Sequence, residues 1–570
     1  MPFRAVLQSS NDTCIEIDAD DVDFDGNGHL ITGEQVAGIP EGRPKTNAVA
    51  ADNQTNVTVH NVEIGEWWYY GVHYTNVDDG TVRDATITRT NNGVEFDASD
   101  DGTVSNVTIR DGLLSGVVLS ETTDTTVSDV RSIENDERGI YLFHSDNNAL
   151  RDVTANRNRG MGRGGVVLSD SNNNSLSNVT ARENPANGIL VWNGDENTMS
   201  EVTTDDNGYG VVIEGSQNSV TNATVTKSTN QAIRIEGADN AFRNVDASPN
   251  TGGVLLLGEN QTLVNTTVGA FGLAQARRLE IGARNSTLKN TTVNGSEGTE
   301  ITFNGDAANN TLINTTIPNS EASDAIFLLA GTTNNTLINT FVSGEYYTNA
   351  FRSLGNDDTT AINFSLETAT ISFRSRAVEI EKTQTVPPSP EGYRDIGQYV
   401  NVTNTSEDSS IDLKVHYSDD DVAQAGVDES TLRIWKYDGG SWTEVPPPNG
   451  VNTEANVVYA NVTNFSAFAP LGEPAESDEP FLDPLVIELG NVTIAEIGPP
   501  QDHDDDGLYE DVNGDCELTG DDVAALSLVE IAHERGALEL TDEQVAALDF
   551  DGDGRLTQRD VGRESTDVSA

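Results

Sequence analysis

A short sequence unit recurs through the first two thirds of this 570-residue chain. Tetrapeptides that begin with glycine and continue with mostly apolar residues start 22 to 26 residues apart, at Gly93, Gly116, Gly139, Gly165, Gly188 and Gly210. A second series, in phase with the first, has 14 members, almost all Asn or Asp: Asn61, Asp84, Asn106, Asp129, Asp152, Asn178, Glu201, Asn222, Asn244, Asn265, Asn290, Asn314, Asn339 and Asn363. Short runs of alternating apolar residues lie between polar breaks, which is the pattern of β-strands joined by turns.

A repeat of this length cannot bury its apolar side chains alone, so successive units must stack on one another. The repeat lacks a helical period of 3.6 residues, which argues against leucine-rich repeats. Stacking parallel strands about 4.8 Å apart satisfies the pattern, and the crossover rule for parallel strands makes the coil right-handed. The sequence therefore predicts a mainly β fold, with a right-handed parallel β-helix over residues 1–375.

The Asn and Asp series has a structural explanation, because stacked turn residues can pass amide hydrogen bonds along the coil. Many of these residues also lie in Asn-x-Ser/Thr sequons. We expect the ladder side chains to turn inward, where they could not accept a glycan. Sequons outside the ladder, at Asn401, Asn404 and Asn461, are better candidates in an exported chain.

The charge balance excludes some partners. The chain has 93 acidic and 32 basic residues, a net charge of −61. Such a surface repels phosphate, so no nucleic-acid partner is expected. No apolar run approaches the ~20 residues that span a bilayer, so no membrane insertion is expected. Lysine is rare relative to arginine, and an acidic, lysine-poor surface is typical of proteins from extreme halophiles.

The stretch from "CIEIDADDVDFDGNGHLITG" (Cys14 to Gly33) to about residue 375 resembles the right-handed β-helix repeats of NosD-type and pectate-lyase-like surface proteins of haloarchaea. The resemblance implies an extracellular or cell-surface location and, in some relatives, carbohydrate-directed chemistry. Members usually carry an export signal and another cysteine-containing segment ahead of this stretch. Here "MPFRAVLQSS" stands in their place, so we expect a truncated start of a longer, exported precursor.

Two further segments follow the repeat. Residues 376–470 contain several strand-like runs, and Trp435 and Trp442 flank an Asp-Gly-Gly turn typical of a hairpin. We predict a small β-sandwich here, with its aromatic residues in the core. Residues 471–500 are acidic and bounded by prolines, which predicts a linker.

Residues 501–565 carry two twelve-residue acidic motifs, "DVNGDCELTGDD" and "DFDGDGRLTQRD". Their spacing matches Ca²⁺ loops, in which side-chain oxygens and one backbone carbonyl, at position 7, converge on the ion. The predicted ligands are Asp511, Asn513, Asp515, Glu517 and Asp522 in loop one, and Asp549, Asp551, Asp553, Arg555 and Asp560 in loop two.

Asp at position 12 and short helices make this module resemble dockerin-type domains, which implies a cohesin-like protein partner. Loop one should bind Ca²⁺ more weakly, because Cys516 replaces the usual glycine at position 6. Leu518 and Leu556, at position 8, are expected to pack between the loops. A third acidic cluster, around Asp502, Asp504 and Asp506, lacks a clean twelfth ligand and stays open.

Strand alternation predicts which residues face outward on the coil. If a strand starts at Gly93, its second and fourth following residues point to solvent. One outward row then reads His73, Glu95, Val118, Tyr141, Val167, Leu190. The candidate substrate-binding residues on or near this row are Tyr70, His73, Arg138, Tyr141, His144, Trp192 and Tyr209. Sugar rings stack on aromatic platforms, so a glycan groove is one hypothesis, and cover by another segment is the alternative.

Catalytic candidates are weaker. Glu95 and Asp97 lie about 7 Å apart on one face, with His73 one rung away, and glycosidases use two carboxylates about 5–9.5 Å apart. Acidic pairs are common in so acidic a chain. Three functions therefore stay open: a glycan-interacting, Ca²⁺-binding surface protein, a polysaccharide lyase or glycoside hydrolase of the same architecture, and a structural spacer or adhesin rod.

Overall fold

The computed structural model describes residues 13–33, 46–66, 68–160, 164–270, 277–295, 298–318, 323–344, 347–355, 358–381, 387–438, 440–475, 483–489, 492–502 and 507–567. The chain forms two compact units, Met1–Pro474 and Ala475–Ala570. Most of the first unit is a parallel β-solenoid of about 13 turns, as the repeat predicts.

The solenoid strands are short and follow one another at the period of the repeat. In chain order they are β1 (Ile15–Ile17), β2 (Asp23–Asp25), β3 (Leu30–Thr32), β4 (Asn47–Asp52), β5 (Thr58–Gly65), β6 (Tyr70–Thr75), β7 (Thr81–Thr88), β8 (Asn92–Asp97), β9 (Thr103–Arg110), β10 (Val117–Ser120), β11 (Thr126–Ile133), β12 (Ile140–Phe143), β13 (Ala149–Asn156), β14 (Val166–Ser169), β15 (Ser175–Arg182), β16 (Asn187–Trp192), β17 (Thr198–Ser200), β18 (Thr203–Asp205), β19 (Tyr209–Glu214), β20 (Ser219–Thr226), β21 (Ile233–Glu236), β22 (Ala241–Asn250), β23 (Val254–Leu256), β24 (Thr262–Ala270), β25 (Arg277–Ile281), β26 (Thr287–Gly295), β27 (Thr299–Phe303), β28 (Thr311–Ile313), β29 (Thr316–Ile317), β30 (Asp324–Leu328), β31 (Thr336–Val342), β32 (Asn349–Ser353) and β33 (Thr359–Ser365).

These strands stack into two parallel sheets. We call the sheet that contains β6, β8, β10, β12, β14, β16 and β19 the first sheet, and the sheet that contains β5, β7, β9, β11, β13 and β15 the second sheet. Equivalent residues lie above one another, so that Val94 pairs with Val117 and Val117 with Ile140. These three inward side chains are fully buried, because every second residue of a strand points into the coil.

The Asn and Asp series forms the corner that bends each long strand of the second sheet. All 14 members are exposed and have φ between 50° and 56°, the left-handed region that Asn and Asp tolerate best after Gly. Their amides do form a ladder, with Asn314 donating to Asn290 at 3.0 Å and Asn339 donating to Asn314 at 3.0 Å. The expectation that these side chains turn inward is wrong, because the corner backbone directs them to solvent.

Other asparagines form the inward ladders. One runs through Asn135, Asn158, Asn184 and Asn207, and another runs through Asn148, Asn174, Asn197, Asn218 and Asn240. Asn184 shows the pattern: its Nδ2 donates to the Ala155 carbonyl at 3.0 Å, and its Oδ1 accepts from the Asn158 backbone N–H at 2.9 Å. These buried amides satisfy turn groups that would otherwise lack partners.

Antiparallel strands complete the first unit after β33. They are β34 (Thr370–Arg376), β35 (Val378–Glu381), β36 (Arg394–Asp395), β37 (Val400–Asn404), β38 (Ser410–His416), β39 (Arg433–Asp438), β40 (Ser441–Glu444), β41 (Asn449–Asn452), β42 (Val457–Val462) and β43 (Ala467–Gly472), with helix α1 (Asp419–Ala425) and a 3₁₀ turn (Glu429–Thr431). The predicted hairpin is confirmed, since β39 and β40 pair with Tyr437 opposite Trp442.

A separate β-sandwich over residues 376–470 is not confirmed. Strand β34 pairs with the solenoid strand β33, and β35 pairs with β32, so both solenoid sheets continue into the antiparallel region. One hydrophobic core runs from Ile17 to Phe468. The antiparallel strands thus cover the last turn of the coil, whose edges would otherwise stay open.

The second unit contains a hairpin, β44 (Leu485–Leu489) and β45 (Val492–Ile497), and helices α2 (Gly520–Glu534), α3 (Asp542–Ala547) and α4 (Gln558–Asp567). Capping boxes begin α2 at Thr519 and α3 at Thr541. The hairpin lies within the predicted linker, of which residues 476–482 and 490–491 are outside the described ranges. Across the described parts of the chain, no helix has the length and apolarity needed to cross a membrane.

Candidate functional site

The outward residues of the first sheet form rows along the coil. The predicted register is confirmed, and one row contains His73, Glu95, Val118, Tyr141, Val167 and Leu190. A second row, two residues further along each strand, contains Thr75, Asp97, Ser120, Phe143, Ser169 and Trp192. Neighbouring members of a row are about 4.8 Å apart. The two rows therefore bring carboxylates and aromatic rings onto one face, which we call the outer face.

The three catalytic candidates lie together at one end of the outer face. His73 pairs in register with Glu95, and Asp97 follows two residues later on the same strand. All three side chains are half-buried. The His73 Nε2 atom lies 3.3 Å from the Thr75 hydroxyl. A strand rise of about 3.3 Å per residue puts the Cα atoms of Glu95 and Asp97 about 7 Å apart.

Asn92 orients Glu95. Its Nδ2 donates to Glu95 Oε2 at 2.6 Å, while its Oδ1 accepts from the Ser115 backbone N–H at 3.0 Å. The Ser115 contact leaves only one orientation of the amide, so the NH₂ group must face the carboxylate. The sequence reasoning missed Asn92, although an Asn directly before the repeat glycine recurs at Asn187.

Tyr70 is not the exposed platform that the sequence predicts. Its ring is buried, with 2% of its surface exposed. It stacks on the His73 imidazole, with ring centroids 4.1 Å apart and planes 14° apart. Tyr70 therefore supports His73 and offers a ligand no free surface.

Arg138 and Tyr141 form the middle of the outer face. The Arg138 guanidinium carbon lies 4.1 Å from the centroid of the Tyr141 ring, and Arg138 Nη1 lies 2.8 Å from Glu137 Oε2. Arg138 is 7% exposed, whereas Tyr141 is half-buried. Arg138 thus holds the tyrosine ring by a cation–π contact and contacts solvent little itself.

Aromatic rings continue from Tyr141 along the second row. Phe143 lies with its centroid 5.9 Å from Tyr141, and the exposed His144 ring lies 4.1 Å from Phe143. Trp192, two strands further along the row, is 48% exposed. The sequence reasoning missed Phe143, although the rule that placed Asp97 outward, four residues after the repeat glycine, also applies to Phe143.

A polar corner borders these aromatic residues. Asn193, directly after Trp192, donates from its Nδ2 to Asp170 Oδ1 at 2.8 Å. This hydrogen bond, helped by the Ser169 hydroxyl and the nearby His144, holds the pKa of the Asp170 carboxyl below its usual range. Asp170 therefore presents an ionised acceptor beside the rings.

Tyr209 does not join the cluster. It pairs with Asn187 at the start of its strand, whereas Trp192 lies at the end of the neighbouring strand. Five residues of extended chain separate Asn187 from Trp192, which corresponds to about 17 Å. Tyr209 and Trp192 therefore mark opposite edges of the sheet.

The two acidic loops of the second unit have the same hydrogen-bond pattern. In loop one the buried Asp511 carboxylate accepts from the backbone N–H groups of Asp515 and Cys516, at 3.1 and 2.8 Å. In loop two, Asp549 accepts from Asp553 and Gly554 in the same way. Position 1 therefore organises each loop around a carboxylate.

The aspartate at position 12 lies in the helix that follows each loop and accepts hydrogen bonds from the loop backbone. In loop one, Asp522 accepts from Asn513 N–H at 3.2 Å and from Thr519 N–H at 2.8 Å. In loop two, Asp560 accepts from Asp551 N–H at 2.9 Å and from Thr557 N–H at 2.7 Å. Both carboxylates are fully buried. The aspartate at position 12 of each predicted loop therefore hydrogen-bonds to the backbone at position 3.

Loop two also gathers its side-chain oxygens. Carboxylate oxygens of Asp549, Asp551 and Asp553 all lie within 4.8 Å of one another. Such a set of hard oxygens suits Ca²⁺, with the Arg555 carbonyl at position 7 as a further candidate.

The two loops differ at positions 6 and 8. Cys516 has φ 65° where loop two has Gly554 at φ 80°. Leu556 is 8% exposed, as expected for a packed position, but Leu518 is 45% exposed. The prediction that both leucines pack between the loops is therefore wrong for loop one. Of the third acidic cluster, Asp504 and Asp506 lie outside the described residues.

Comparison with known families supports the description of the coil. A family described as "Right handed beta helix region" matches residues 47–204 and 188–342. No curated protein matches the chain in sequence.

Several solved structures are similar in part. The Dettilon tailspike protein is 12% identical, over 75% of this chain and 88% of that protein, with a TM-score of 0.30. A mutant tailspike protein of E. coli bacteriophage HK620, in complex with a hexasaccharide, is 9% identical over 79% and 87% of the two chains, with a TM-score of 0.33. The catalytic domain of a GH87 α-1,3-glucanase, in complex with tetrasaccharides, is 13% identical over 44% and 61%, with a TM-score of 0.28.

Proposed function

Because this chain belongs to the right-handed β-helix family, we propose that its outer face is a carbohydrate-binding site on a rigid coil. The observation that carries the proposal is the aromatic series Tyr141, Phe143 and Trp192 on adjoining outward rows, with Trp192 48% exposed. Exposed aromatic rings on a sheet can pack against the apolar faces of sugar rings. The fixed rung spacing holds them without a conformational penalty on binding.

Polar groups border this aromatic series on both sides. Glu95 and Asp97 lie together on β8, two strands before the strand of Tyr141, and Asp170 and His144 lie at the corner beside Phe143. Carboxylates accept hydrogen bonds from sugar hydroxyls, which gives the orientation that stacking alone lacks. A net charge of −61 disfavours an anionic polysaccharide, so a neutral glycan fits best.

A glycoside hydrolase is the second candidate, and the Asn92 contact favours it. An amide fixed by the Ser115 backbone holds the Glu95 carboxylate in one orientation, and Asp97 follows two residues later on the same face, as a pair of glycosidase carboxylates would require. A lyase of the same architecture would cleave an acidic polysaccharide instead. A coil that serves only as a spacer or adhesin rod is the third candidate.

For the second unit we propose a dockerin-like module, residues 501–565, that binds Ca²⁺ through both acidic loops and docks on a cohesin-like protein. The burial of the carboxylates at positions 1 and 12, and in loop two the close oxygens of Asp549, Asp551 and Asp553, support a hard cation there. We further propose that residues 376–470 act as a β-sandwich cap.

We also propose an extracellular location in a salt-rich environment, which agrees with the acidic surface.

The glycan proposal is tested by titrating neutral and acidic polysaccharides into the full chain by calorimetry. Trp192→Ala and Tyr141→Ala should each weaken binding at least tenfold, with little change in melting temperature. Phe341→Ala is the matched control, because Phe341 is an exposed aromatic residue on the second sheet.

Measuring products in the same mixtures separates the other candidates. New reducing ends that disappear in Glu95→Gln indicate a hydrolase, and unsaturated uronate absorbance indicates a lyase. Saturable binding without turnover indicates a lectin-like protein. If no polysaccharide binds, or if both aromatic variants bind as the native protein does, the outer face is not a glycan site.

A further inference from the structure

A serine and a histidine meet on the outward side of the second sheet, where the parallel coil gives way to antiparallel strands. Ser372 lies on β34 and His416 lies on the neighbouring strand β38. Their Oγ and Nε2 atoms are 2.7 Å apart. Both side chains are partly buried, and Ser372 is 9% exposed. The contact lies on a different sheet from the proposed glycan site.

A backbone hydrogen bond to the serine oxygen leaves the serine hydrogen available for this contact. The register between β33 and β34 shifts between Ala361 and Phe364, and within this irregularity the Asn363 backbone N–H donates to Ser372 Oγ at 3.0 Å. Because the oxygen accepts from the backbone, the hydroxyl hydrogen is available for donation to His416 Nε2 when the imidazole carries its proton on Nδ1. The imidazole is then the acceptor and Ser372 the donor.

The protonation state of the histidine agrees with that direction. Burial lowers the pKa of His416, and the nearby Lys414 ammonium lowers it further. A histidine with a lowered pKa is neutral at pH 7 and can accept a proton at Nε2. A hydroxyl donating to a neutral imidazole is the arrangement that activates serine as a nucleophile.

A cation and apolar side chains border the pair. Lys414 is directly opposite Ser372 in the antiparallel ladder, and Tyr459 is directly opposite Lys414. Opposite residues on one face of such a ladder have Cβ atoms about 4.5–5.5 Å apart. Tyr459 is 40% exposed, and Ile362, on the other side of Ser372, is 43% exposed.

We propose that Ser372 and His416 form a nucleophile–base pair that hydrolyses carboxylic esters. Ser372 Oγ attacks the ester carbonyl carbon while its proton moves to His416 Nε2. The bond from carbonyl carbon to alcohol oxygen breaks, and the departing alcohol takes the proton from His416. Water then attacks the acyl-serine and gives a proton to His416, which returns it to Ser372 Oγ as the acid leaves. The Lys414 ammonium offsets the negative charge on the carbonyl oxygen in both additions.

The surroundings select the substrate class. Ile362 and Tyr459 offer apolar contact to a short acyl chain, and Lys414, directly opposite Ser372, offers a positive charge to the carbonyl oxygen. An open sheet face accepts an ester carried on a larger molecule as readily as a small ester. The ligand is therefore an uncharged O-acyl ester.

Two measurements on the full-length protein test the pair. The first is steady-state hydrolysis of p-nitrophenyl acetate, and the second is labelling by a fluorophosphonate followed by peptide mass analysis. The native protein should turn over the ester and carry the label on Ser372. Ser372→Ala should abolish labelling, and Ser372→Ala and His416→Gln should each lower hydrolysis at least 100-fold, because a general base contributes about 10²–10⁴-fold.

Ser365→Ala is the matched control, since the Ser365 hydroxyl lies on the same sheet and bonds to Thr370 instead of to a histidine. It should keep both activity and label. Circular dichroism of each variant separates lost chemistry from lost folding. An unlabelled native protein, a label on another residue, or hydrolysis that survives in folded Ser372→Ala overturns the proposal, and the pair is then only a structural contact at the irregular register.

Discussion

At the scale of single residues, backbone conformation distinguishes the two acidic loops. Position 6 needs a left-handed backbone, and loop two meets this with Gly554 at φ 80°. Loop one places Cys516 there at φ 65°, where a side chain clashes with the following peptide unit. Among the described residues, the polar contact of its side chain is a long one, 3.6 Å from Sγ to Gln501 Oε1. The strain in loop one is therefore not offset by a strong interaction.

Cys516→Gly should stabilise the second unit. Glycine removes the steric penalty of the left-handed backbone, which should raise the free energy of unfolding by about 1 kcal/mol. The larger conformational entropy of glycine in the unfolded chain reduces this gain. Thermal unfolding followed by helical circular dichroism measures this, in Ca²⁺ and in chelator. The opposite change, Gly554→Ala, should destabilise by a similar amount. A lower melting temperature for Cys516→Gly would show that Cys516 packs favourably.

At the scale of structural elements, the asparagine ladders divide into two kinds. The corner ladder is exposed, and its residues matter for their left-handed backbone. The inward ladders are buried, and their amides satisfy backbone groups of neighbouring turns. The same residue type thus stabilises the coil by two mechanisms, one local and one that depends on the turns above and below.

Asn184→Leu should destabilise the coil by about 3 kcal/mol. The change leaves the Asn158 backbone N–H and the Ala155 carbonyl buried without their partner, and each unsatisfied group costs about 1–3 kcal/mol. Urea unfolding measures the loss, because guanidinium chloride would also screen the acidic surface. Asn314→Gly is the control: it keeps the left-handed corner and removes only an exposed amide, so it should change stability by under about 0.5 kcal/mol. Equal losses in both variants would contradict the distinction.

At the scale of the whole molecule, charge is the dominant feature. Ion pairs between described residues, such as Arg157 with Glu134 and Glu183, involve few of the carboxylates. The remaining carboxylates repel one another within each unit. Salt shortens the Debye length from about 10 Å at 0.1 M to about 3 Å at 1 M, which weakens this repulsion.

The melting temperature should therefore rise by several degrees between 0.1 and 2 M KCl. Calorimetry measures it, and sucrose at matched osmolality controls for exclusion of an uncharged solute. The rise should be steepest at low salt, where screening changes most. A melting temperature that is the same at both salt concentrations would show that repulsion between carboxylates contributes little.

Local pattern was sufficient for much of this protein. The period of the repeat determined the coil, and strand alternation determined the outward row from His73 to Leu190, because a stacked coil repeats one local structure. The acidic spacing predicted two loops, and in each the twelfth carboxylate accepts from the backbone at position 3, since this geometry lies within a dozen residues. The hairpin of β39 and β40 was predicted from its turn for the same reason.

The tertiary structure decided what depends on distant residues. Tyr70 is buried although its strand position is regular, and Asn184 turns inward while Asn178 faces solvent, because packing between turns selects the face. The continuation of both sheets into the antiparallel strands joins segments that the sequence pattern separates. Ser372 and His416 are 44 residues apart and meet only when β34 and β38 pair, so no local signal reveals them. Side-chain alternation is a local property, whereas the folded chain determines which strands pair and which side chains are buried by other segments.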